Sequence, residues 1–411
     1  MLRWCLCLLL LASAGWHMHI YNRRMWPNNS DLIQRWVGAR AAFAGRDPYS
    51  PAVRHEIQTA YAGWDPDAIG RPLTREEAVV RWQSFLYPAP IILILAPFVA
   101  LPWEYARHLF AGVSVLAFAV GVWMWIRRLI PRNASYRAWL LLLIFAAWPT
   151  WWAIRLEQPG LLVAAFLLLA VESIARGRQV AGGILLALAT IKPQAAMPIL
   201  IWYTLWAWHA RAIRLAGGFA GALLLMFVLT EHFVPGWLPH WLASLHGYRE
   251  DNQADLPLVN LCGRIAGTAL TAAAAVPVLA VFWKARRAAA ASWEAIRAAA
   301  LALAFAPFLT PTHFTLIYNQ ILLIGAFLVL LSRDPISPPR SQLRWMAFAS
   351  LAVSFALVPI AVFLESVLGP HILYDGLPFL LNSLLPIPVL CALVALHSPF
   401  LPNDSVPDRF A

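Results

Sequence analysis

Asp31 is the carboxylate of this sequence that is best placed for proton chemistry. It belongs to residues 22–87, the one long polar segment of a very apolar chain, which holds seven of the twenty acidic residues. The segment follows the first hydrophobic run, so Asp31 is expected just outside a membrane span, where a carboxylate can act as a general base at the lipid–water boundary. The structural alternative is a helix cap, because Asp is common at that position.

Lys192 and His313 are two further candidates for chemistry. Lys192 precedes Pro193 inside the apolar run 180–208, and an ionisable residue within such a run marks a functional site by default. The alternative is a lysine at a span end whose ammonium reaches the interface. His313 stands at a span boundary, although a lone histidine is more often structural.

The elements that must position these residues are membrane-spanning helices. Of 411 residues, 61% are hydrophobic and 12% are charged, whereas a soluble domain carries about 25% charged residues. Long apolar runs recur from end to end, and each is able to cross a bilayer. The sequence predicts an all-α polytopic membrane protein. Its net charge of +11 fits positive-inside topology and not nucleic-acid binding, because the basic residues lie in short loops between spans.

Twelve apolar runs are candidate spans. They lie near 4–21, 88–102, 104–126, 138–154, 160–175, 180–208, 212–231, 260–283, 293–309, 313–331, 343–364 and 377–398. Basic clusters at the junctions are expected in the cytoplasm. This predicts one integral domain over residues 1–398, with loops 22–87 and 231–258 outside and the tail 399–411 inside.

Two arrangements satisfy that topology. In the favoured one, 88–102 is a half-span or interfacial piece, and 180–208 is broken at Lys192-Pro193 into two short crossings. In the other, 88–102 crosses fully and 180–208 is one kinked span, which leaves about six basic residues on the wrong side by the positive-inside rule. A Lys-Pro pair is costly in mid-membrane, which favours the first.

Helices are also expected within the first loop. Residues 30–44 read as a helix capped by Ser30 or Asp31 and stopped by Gly45, with an apolar face that would lie flat on the membrane. A second short helix is expected near 74–83, with Thr74 and Glu77 forming a capping box.

The order of motifs along the chain carries a resemblance to a known family. The motifs are Asp31, Ala39-Arg40, Gly45-Arg46-Asp47-Pro48-Tyr49, Leu86-Tyr87-Pro88, Glu157-Gln158, Ala181-Gly182-Gly183, Lys192-Pro193-Gln194 and Thr310-Pro311-Thr312-His313. Over about residues 28–330 the chain resembles glycosyltransferase family 87, the polyprenyl-phosphate-mannose-dependent membrane mannosyltransferases of the GT-C fold. The chain departs from the family pattern at two places. It has Glu157-Gln158 where the family usually has Gly-Gln, and it has Thr315 near the point where the family often has Asp.

The resemblance implies roles for individual residues. Asp31 matches the first-loop aspartate, which implies that it is the catalytic base. Lys192 is expected to hold the donor phosphate and His313 to orient donor or acceptor. Arg155 is either a second phosphate ligand or the ion-pair partner of Glu157, with the ion pair slightly favoured.

Four more residues complete the predicted substrate-binding set. Asp47 either contacts the sugar or bonds its own backbone in a turn, which is the more common role. Tyr49 and Tyr87 either stack on a sugar or belong to an interfacial aromatic belt, which we favour. Gln158 is included because it belongs to the Glu157-Gln158 motif of the family resemblance.

The predicted function is transfer of a sugar, mannose by resemblance, from a polyprenyl-phosphate donor to an extracytoplasmic lipid or glycan acceptor, with inversion. The enzyme would lie in the inner (plasma) membrane, with its active site on the extracytoplasmic side. No cofactor and no metal ligands are predicted, and metal dependence is left open. The rival is a multi-span transporter or lipid flippase, which would also have a broken helix and a buried lysine. A third reading is a ligase or polymerase with a lipid-pyrophosphate donor.

Overall fold

The computed structural model describes residues 30–74, 77–130, 133–252, 255–310, 316–332 and 386–395, together with a few single positions. Every regular element in these residues is a helix, and no strand occurs among them, which confirms the all-helical prediction. His313 and the tail 399–411 lie outside the described residues.

We number the described α-helices in chain order. They are α1 Asp31–Phe43, α2 Pro51–Ala62, α3 Ile91–Val99, α4 Trp103–Leu129, α5 Ala134–Ala146, α6 Trp148–Arg155, α7 Pro159–Ala175, α8 Gln179–Ala189, α9 Pro193–Ala210, α10 Ile213–Phe233, α11 Trp237–Asn252, α12 Pro257–Cys262, α13 Arg264–Ala285, α14 Trp293–Phe305, α15 Leu323–Leu331 and α16 Pro386–Ala395. Short 3-10 helices cover Glu77–Trp82, Ala306–Leu309 and Leu316–Leu322.

Three described helices are long and apolar enough to cross a membrane, namely α4, α10 and α13. The pair α5 and α6, bent by 59° at Ala147, makes a fourth if it counts as one span. Helices α7 and α8 are apolar but shorter. The structure therefore supports a membrane protein, while the total of twelve crossings stays a prediction.

The helix boundaries agree with the favoured arrangement of the two disputed runs. Within 88–102 only the nine residues of α3 are helical, with Pro97 inside them, and nine residues are too few to cross about 30 Å of hydrocarbon. Within 180–208 the chain breaks between α8 and α9, and Lys192 stands at the amino end of α9. How often each run crosses stays a prediction.

Helices α4 and α7 run parallel and are joined near both ends. Near the start of α4, Arg107 pairs with Glu157, and near its end Arg128 pairs with Glu172 at 2.6 Å. Between these pairs the indole N–H of Trp125 donates to the carbonyl of Leu168 at 3.0 Å. Two charged contacts thus fix the register of an otherwise apolar helix pair.

Glycine allows α8 and α10 to approach closely. A Cβ atom on Gly183 would collide with the backbone of α10 at Leu215, and one on Gly218 would collide with the backbone of α8 at Val180. Small residues at such crossings are typical of membrane helices, which gain van der Waals contact when their backbones come close. The Ala181-Gly182-Gly183 motif therefore has a packing role.

The first loop is more deeply packed than its sequence indicates. Helix α1 begins at Asp31 and is buried over most of its surface, including Gln34 and Arg35, with Arg40 exposed. The prediction of a helix lying flat on the membrane is therefore wrong. The small residues of α1 explain its burial. Gly38, for example, lies against the ring of Phe85, where a Cβ atom would collide.

Two short elements complete the loop. The predicted capping box is confirmed, because the Thr74 N–H donates to Glu77 Oε2 (2.8 Å) and the Glu77 N–H donates to the Thr74 hydroxyl (3.2 Å). The element that follows is a 3-10 helix. Helix α2 was not predicted, although Pro51 at its start and Gly63 at its left-handed C-cap are standard signals.

Candidate active site

Two elements hold Asp31 in place. Ser30 caps α1, because its hydroxyl accepts a hydrogen bond from the Leu32 N–H at 3.0 Å. The Asp31 N–H donates to the carbonyl of Leu156, just beyond α6, at 3.0 Å. Ser30 takes the capping role, so the Asp31 carboxylate is available for other contacts.

Gln158 and Tyr87 form a chain of hydrogen bonds that ends on this carboxylate. Gln158 Nε2 donates to Asp31 Oδ2, and the Tyr87 hydroxyl donates to Gln158 Oε1 at 3.3 Å. Gln158 is buried at the amino end of α7. Since an amide has one donor end and one acceptor end, the Tyr87 contact turns the donor end of Gln158 towards Asp31.

Glu157, directly before Gln158, has an unusual backbone. Its φ of 50° lies in the left-handed region, which favours glycine. Its carboxylate accepts from Arg107 Nη2 at 2.7 Å. The predicted ion pair of Glu157 with Arg155 is therefore wrong, because Arg107 arrives from α4, a contact that sequence proximity cannot indicate.

Arg35 lies one helical turn after Asp31 and belongs to the site. Its Nη1 donates to the main-chain carbonyl of Asp31 and to Gln34 Oε1, the latter at 2.7 Å. Its guanidinium carbon stands 4.3 Å from the centroid of the Tyr87 ring. Sequence analysis missed Arg35, although the i, i+4 spacing from Asp31 was a usable signal.

Lys192 faces the same region from the break between α8 and α9. Its Nζ donates to Asn319 Oδ1 at 2.7 Å and lies 4.9 Å from the centroid of the Tyr318 ring. The side chain is buried, so this lysine is not one whose ammonium reaches the surface. A Cβ atom on Gly160 would lie 3.0 Å from Nζ, so Gly160 leaves room for the ammonium.

Burial and charge act in opposite directions on Asp31. Burial raises the pKa of its carboxyl group, and the positive charges of Arg35, Lys192 and Arg155 lower it, as does a hydrogen bond with Tyr318. Burial also raises the pKa of Tyr87 to about 12, which keeps its hydroxyl protonated as a donor to Gln158. Sequence analysis missed Tyr318 and Asn319, which form a polar break in the apolar run 313–331.

Helix α11, in the predicted second outer loop, contacts the segment that carries Tyr87. Burial raises the pKa of Tyr248 on this helix, and the charge of Asp31 raises it further. The Trp241 indole donates to the carbonyl of Leu86, the residue before Tyr87, at 3.0 Å.

Asp47 and Tyr49 support the site from a turn. Asp47 Oδ1 accepts from the Tyr49 N–H at 2.9 Å, which is the predicted turn role, and Asp47 Oδ2 lies 3.2 Å from His240 Nδ1 of α11. The Tyr49 hydroxyl donates to the carbonyl of Tyr87 at 2.8 Å. Tyr87 itself is only 8% exposed, so the aromatic-belt prediction is wrong for it.

One group of possible metal ligands occurs in the part of the chain that the structure describes. The ligand atoms of His55, Asp65 and Asp67 lie within 4.8 Å of one another on the exposed side of the first loop. Each carboxylate is already paired with His55, and Asp67 also pairs with Arg81 at 2.6 Å. These contacts account for the group as a surface ion-pair cluster.

The structure thus brings Asp31, Tyr87, Gln158 and Lys192 together, with Arg155 close enough to act on Asp31. Residues 85–311, more than half of the chain, match the sequence model of Glycosyltransferase family 87. The chain belongs to glycosyltransferase family 87. It is therefore a membrane glycosyltransferase. No curated protein and no solved structure matches the chain.

Two parts of the site of this family 87 member lie outside the matched region. Asp31 precedes it, and Tyr318 and Asn319 follow it. Their place beside Gln158 and Lys192 comes from tertiary contacts alone. The match therefore identifies the enzyme class, and the geometry indicates which groups outside the match belong to the site.

Proposed function

We propose that this glycosyltransferase transfers a sugar, mannose by family resemblance, from a polyprenyl-phosphate donor to a lipid or glycan acceptor on the extracytoplasmic side. The observation that carries the proposal is a half-buried carboxylate, Asp31, under the influence of three cations, Arg35, Lys192 and Arg155. The reaction needs this pairing of a base with positive charge.

The proposed step is a single displacement. The acceptor oxygen forms a bond to the anomeric carbon while the bond from that carbon to the phosphate oxygen breaks. The phosphate leaves with the bonding electron pair, and the acceptor proton passes to the Asp31 carboxylate. Attack opposite to the leaving group inverts the anomeric configuration.

Positive charge stabilises the negative charge that grows on the leaving phosphate. Lys192 and Arg155 are the proposed phosphate ligands, because both are buried cations whose charge acts on the Asp31 carboxyl group. Gln158 and Tyr87 orient the base. Asp47 and Tyr49 hold the main chain at Tyr87 in place. His313 is proposed to orient the donor or the acceptor.

Family membership decides against the transporter or flippase, since the chain is a glycosyltransferase. The donor class stays open to test. A ligase or polymerase of similar layout would use a lipid pyrophosphate, so both donor types should be compared under the same conditions.

Replacing Asp31 by Asn should reduce turnover at least 100-fold, because a general base contributes about 10²–10⁴ in rate. Asn keeps the shape of the side chain, so folding should persist. The measurement is transfer of labelled sugar from polyprenyl phosphate by purified enzyme, with the anomeric configuration of the product read by NMR.

The matched control is Asp65→Asn in the same polar segment. Asp65 Oδ1 accepts from the Asp67 N–H at 2.8 Å, and Asn preserves that acceptor. Near-normal activity of Asp31→Asn would show that the base is another group. A product of retained configuration would contradict the single displacement.

A further inference from the structure

Asn319 has a donor group that is left unpaired within the described protein. Its Nδ2 atom is buried without a hydrogen-bond partner among the described residues, and the residue is 6% exposed. Its Oδ1 atom accepts from Lys192 Nζ at 2.7 Å. An ammonium group only donates, so this contact fixes the amide orientation and leaves both Nδ2 hydrogens for another acceptor.

We infer that Asn319 binds a phosphate oxygen of the donor together with Lys192, an assignment that rests on the function proposed above. Buried amide donors are nearly always paired, because an unmade hydrogen bond is costly. The missing partner is therefore an acceptor that arrives with a ligand. Asn319 supplies a neutral donor and Lys192 supplies the charge.

The surroundings favour an anionic acceptor over a sugar hydroxyl. Lys192 stands beside Asn319, and the positive charges of Arg35 and Arg155 also act in this site. A phosphodiester offers acceptor oxygens and negative charge, and it matches a pair whose unused groups are donors. A hydroxyl would satisfy the amide but would add no negative charge to a site where Asp31 faces three cations, Arg35, Lys192 and Arg155.

The position of Asn319 also explains how the site is held together. Tyr318 lowers the pKa of the Asp31 carboxyl group, and its ring lies 4.9 Å from Lys192 Nζ. The next residue, Asn319, accepts from the same ammonium. The 3-10 helix Leu316–Leu322 packs against α6. One short segment therefore acts on both the proposed base and the proposed phosphate-binding lysine.

The test compares binding of polyprenyl phosphate with binding of polyprenol of the same chain length, using the full-length protein in nanodiscs. Asn319→Asp keeps the shape and the acceptor for Lys192 but replaces the donor by a carboxylate oxygen that repels phosphate. We expect polyprenyl phosphate to bind at least about tenfold more weakly, since hydrogen bonds to charged groups have this strength. Polyprenol binding should not change.

Two further variants keep the test decisive. Asn133→Asp makes the same change at the exposed N-cap of α5, where the side chain accepts from the Tyr136 N–H at 2.9 Å and Asp caps equally well; it should bind like the wild type. Asn319→Leu has a similar shape without donor or acceptor, and it should also bind polyprenyl phosphate more weakly. This variant provides the measurement if Asn319→Asp does not fold.

The outcomes separate this inference from the proposed function. If the wild type prefers polyprenyl phosphate to polyprenol and the folded Asn319 variants keep that preference, Asn319 is not a phosphate ligand, while the proposed donor stands. If the wild type does not prefer polyprenyl phosphate to polyprenol, the proposed donor class is wrong, and the proposed role of Asn319 is then wrong as well.

Discussion

At the scale of single residues, the central group is Asp31, whose pKa is set by opposing influences. Burial raises its pKa, and the cations Arg35, Lys192 and Arg155 counteract that rise. A base works only in its ionised form, so activity that depends on Asp31 should be present above its pKa and be lost as the pH falls through it. The cations therefore extend the working range towards lower pH.

Arg35→Gln should move the acidic limb of the kcat/KM profile to higher pH by about one unit, because removal of a close positive charge shifts a carboxyl pKa by this amount or more. The measurement is the pH dependence of sugar transfer at low donor concentration. Arg40→Gln makes the same change at an exposed position of α1 and should leave the limb in place. An unshifted limb for Arg35→Gln would exclude its electrostatic role.

At the scale of elements, the turn between α6 and α7 sets the geometry of the base. Leu156 accepts from the Asp31 N–H, and Gln158 donates to the Asp31 carboxylate. Glu157 between them has a left-handed backbone, for which the Gly usual in the family is better suited. In this chain the Arg107 ion pair compensates, since it holds Glu157 from α4.

Arg107→Ala should lower the free energy of unfolding by about 3 kcal/mol, because it leaves the buried Glu157 carboxylate without its partner. Glu157→Gly should be mild, since loss of the pair is offset by relief of about 1 kcal/mol of backbone strain. Thermal unfolding of the purified variants measures both effects.

The double variant Arg107→Ala/Glu157→Gly tests whether the effects of the two substitutions depend on each other. It should be more stable than Arg107→Ala alone, because no unpaired charge is left behind. Strictly additive losses would show that the ion pair does not support the turn.

At the scale of the whole molecule, the two ion pairs mark opposite ends of the α4–α7 pair. Arg107 and Arg128 are 21 positions apart, roughly 30 Å along a helix and about the thickness of the hydrocarbon core. The candidate site lies at the Arg107 end. Arg128 and Arg176 meet Glu172 at the other end, in the basic clusters predicted to face the cytoplasm.

Single cysteines in a cysteine-free background test this sidedness. Arg46→Cys, in the first loop, should react with a membrane-impermeant maleimide in intact cells, whereas Arg178→Cys should react only after permeabilisation, because basic clusters stay in the cytoplasm. Both positions are exposed, and the unsubstituted background serves as the blank. Protection of position 46 in intact cells would end the proposal of an extracytoplasmic site.

Local patterns in the sequence were sufficient for several features of the structure. Helix α1 with its Ser30 cap and the Thr74–Glu77 capping box follow from hydrogen bonds between near neighbours. The order of motifs along the chain indicated the family, and the match of the family's sequence model to residues 85–311 confirms it. Asp31 and Lys192 were recognisable by their polarity at the edge of, or within, apolar runs.

What the sequence determined by itself is therefore the class of the protein: a helical membrane chain with polar groups where lipid chemistry needs them. Only the tertiary structure decided which of these groups meet. The Arg107–Glu157 pair joins residues 50 positions apart, and the Lys192–Asn319 pair joins residues 127 positions apart. The burial of Arg35 depends on packing from several elements. Periodicity and capping are local, whereas such contacts depend on how apolar helices pack together, which no short stretch of sequence records.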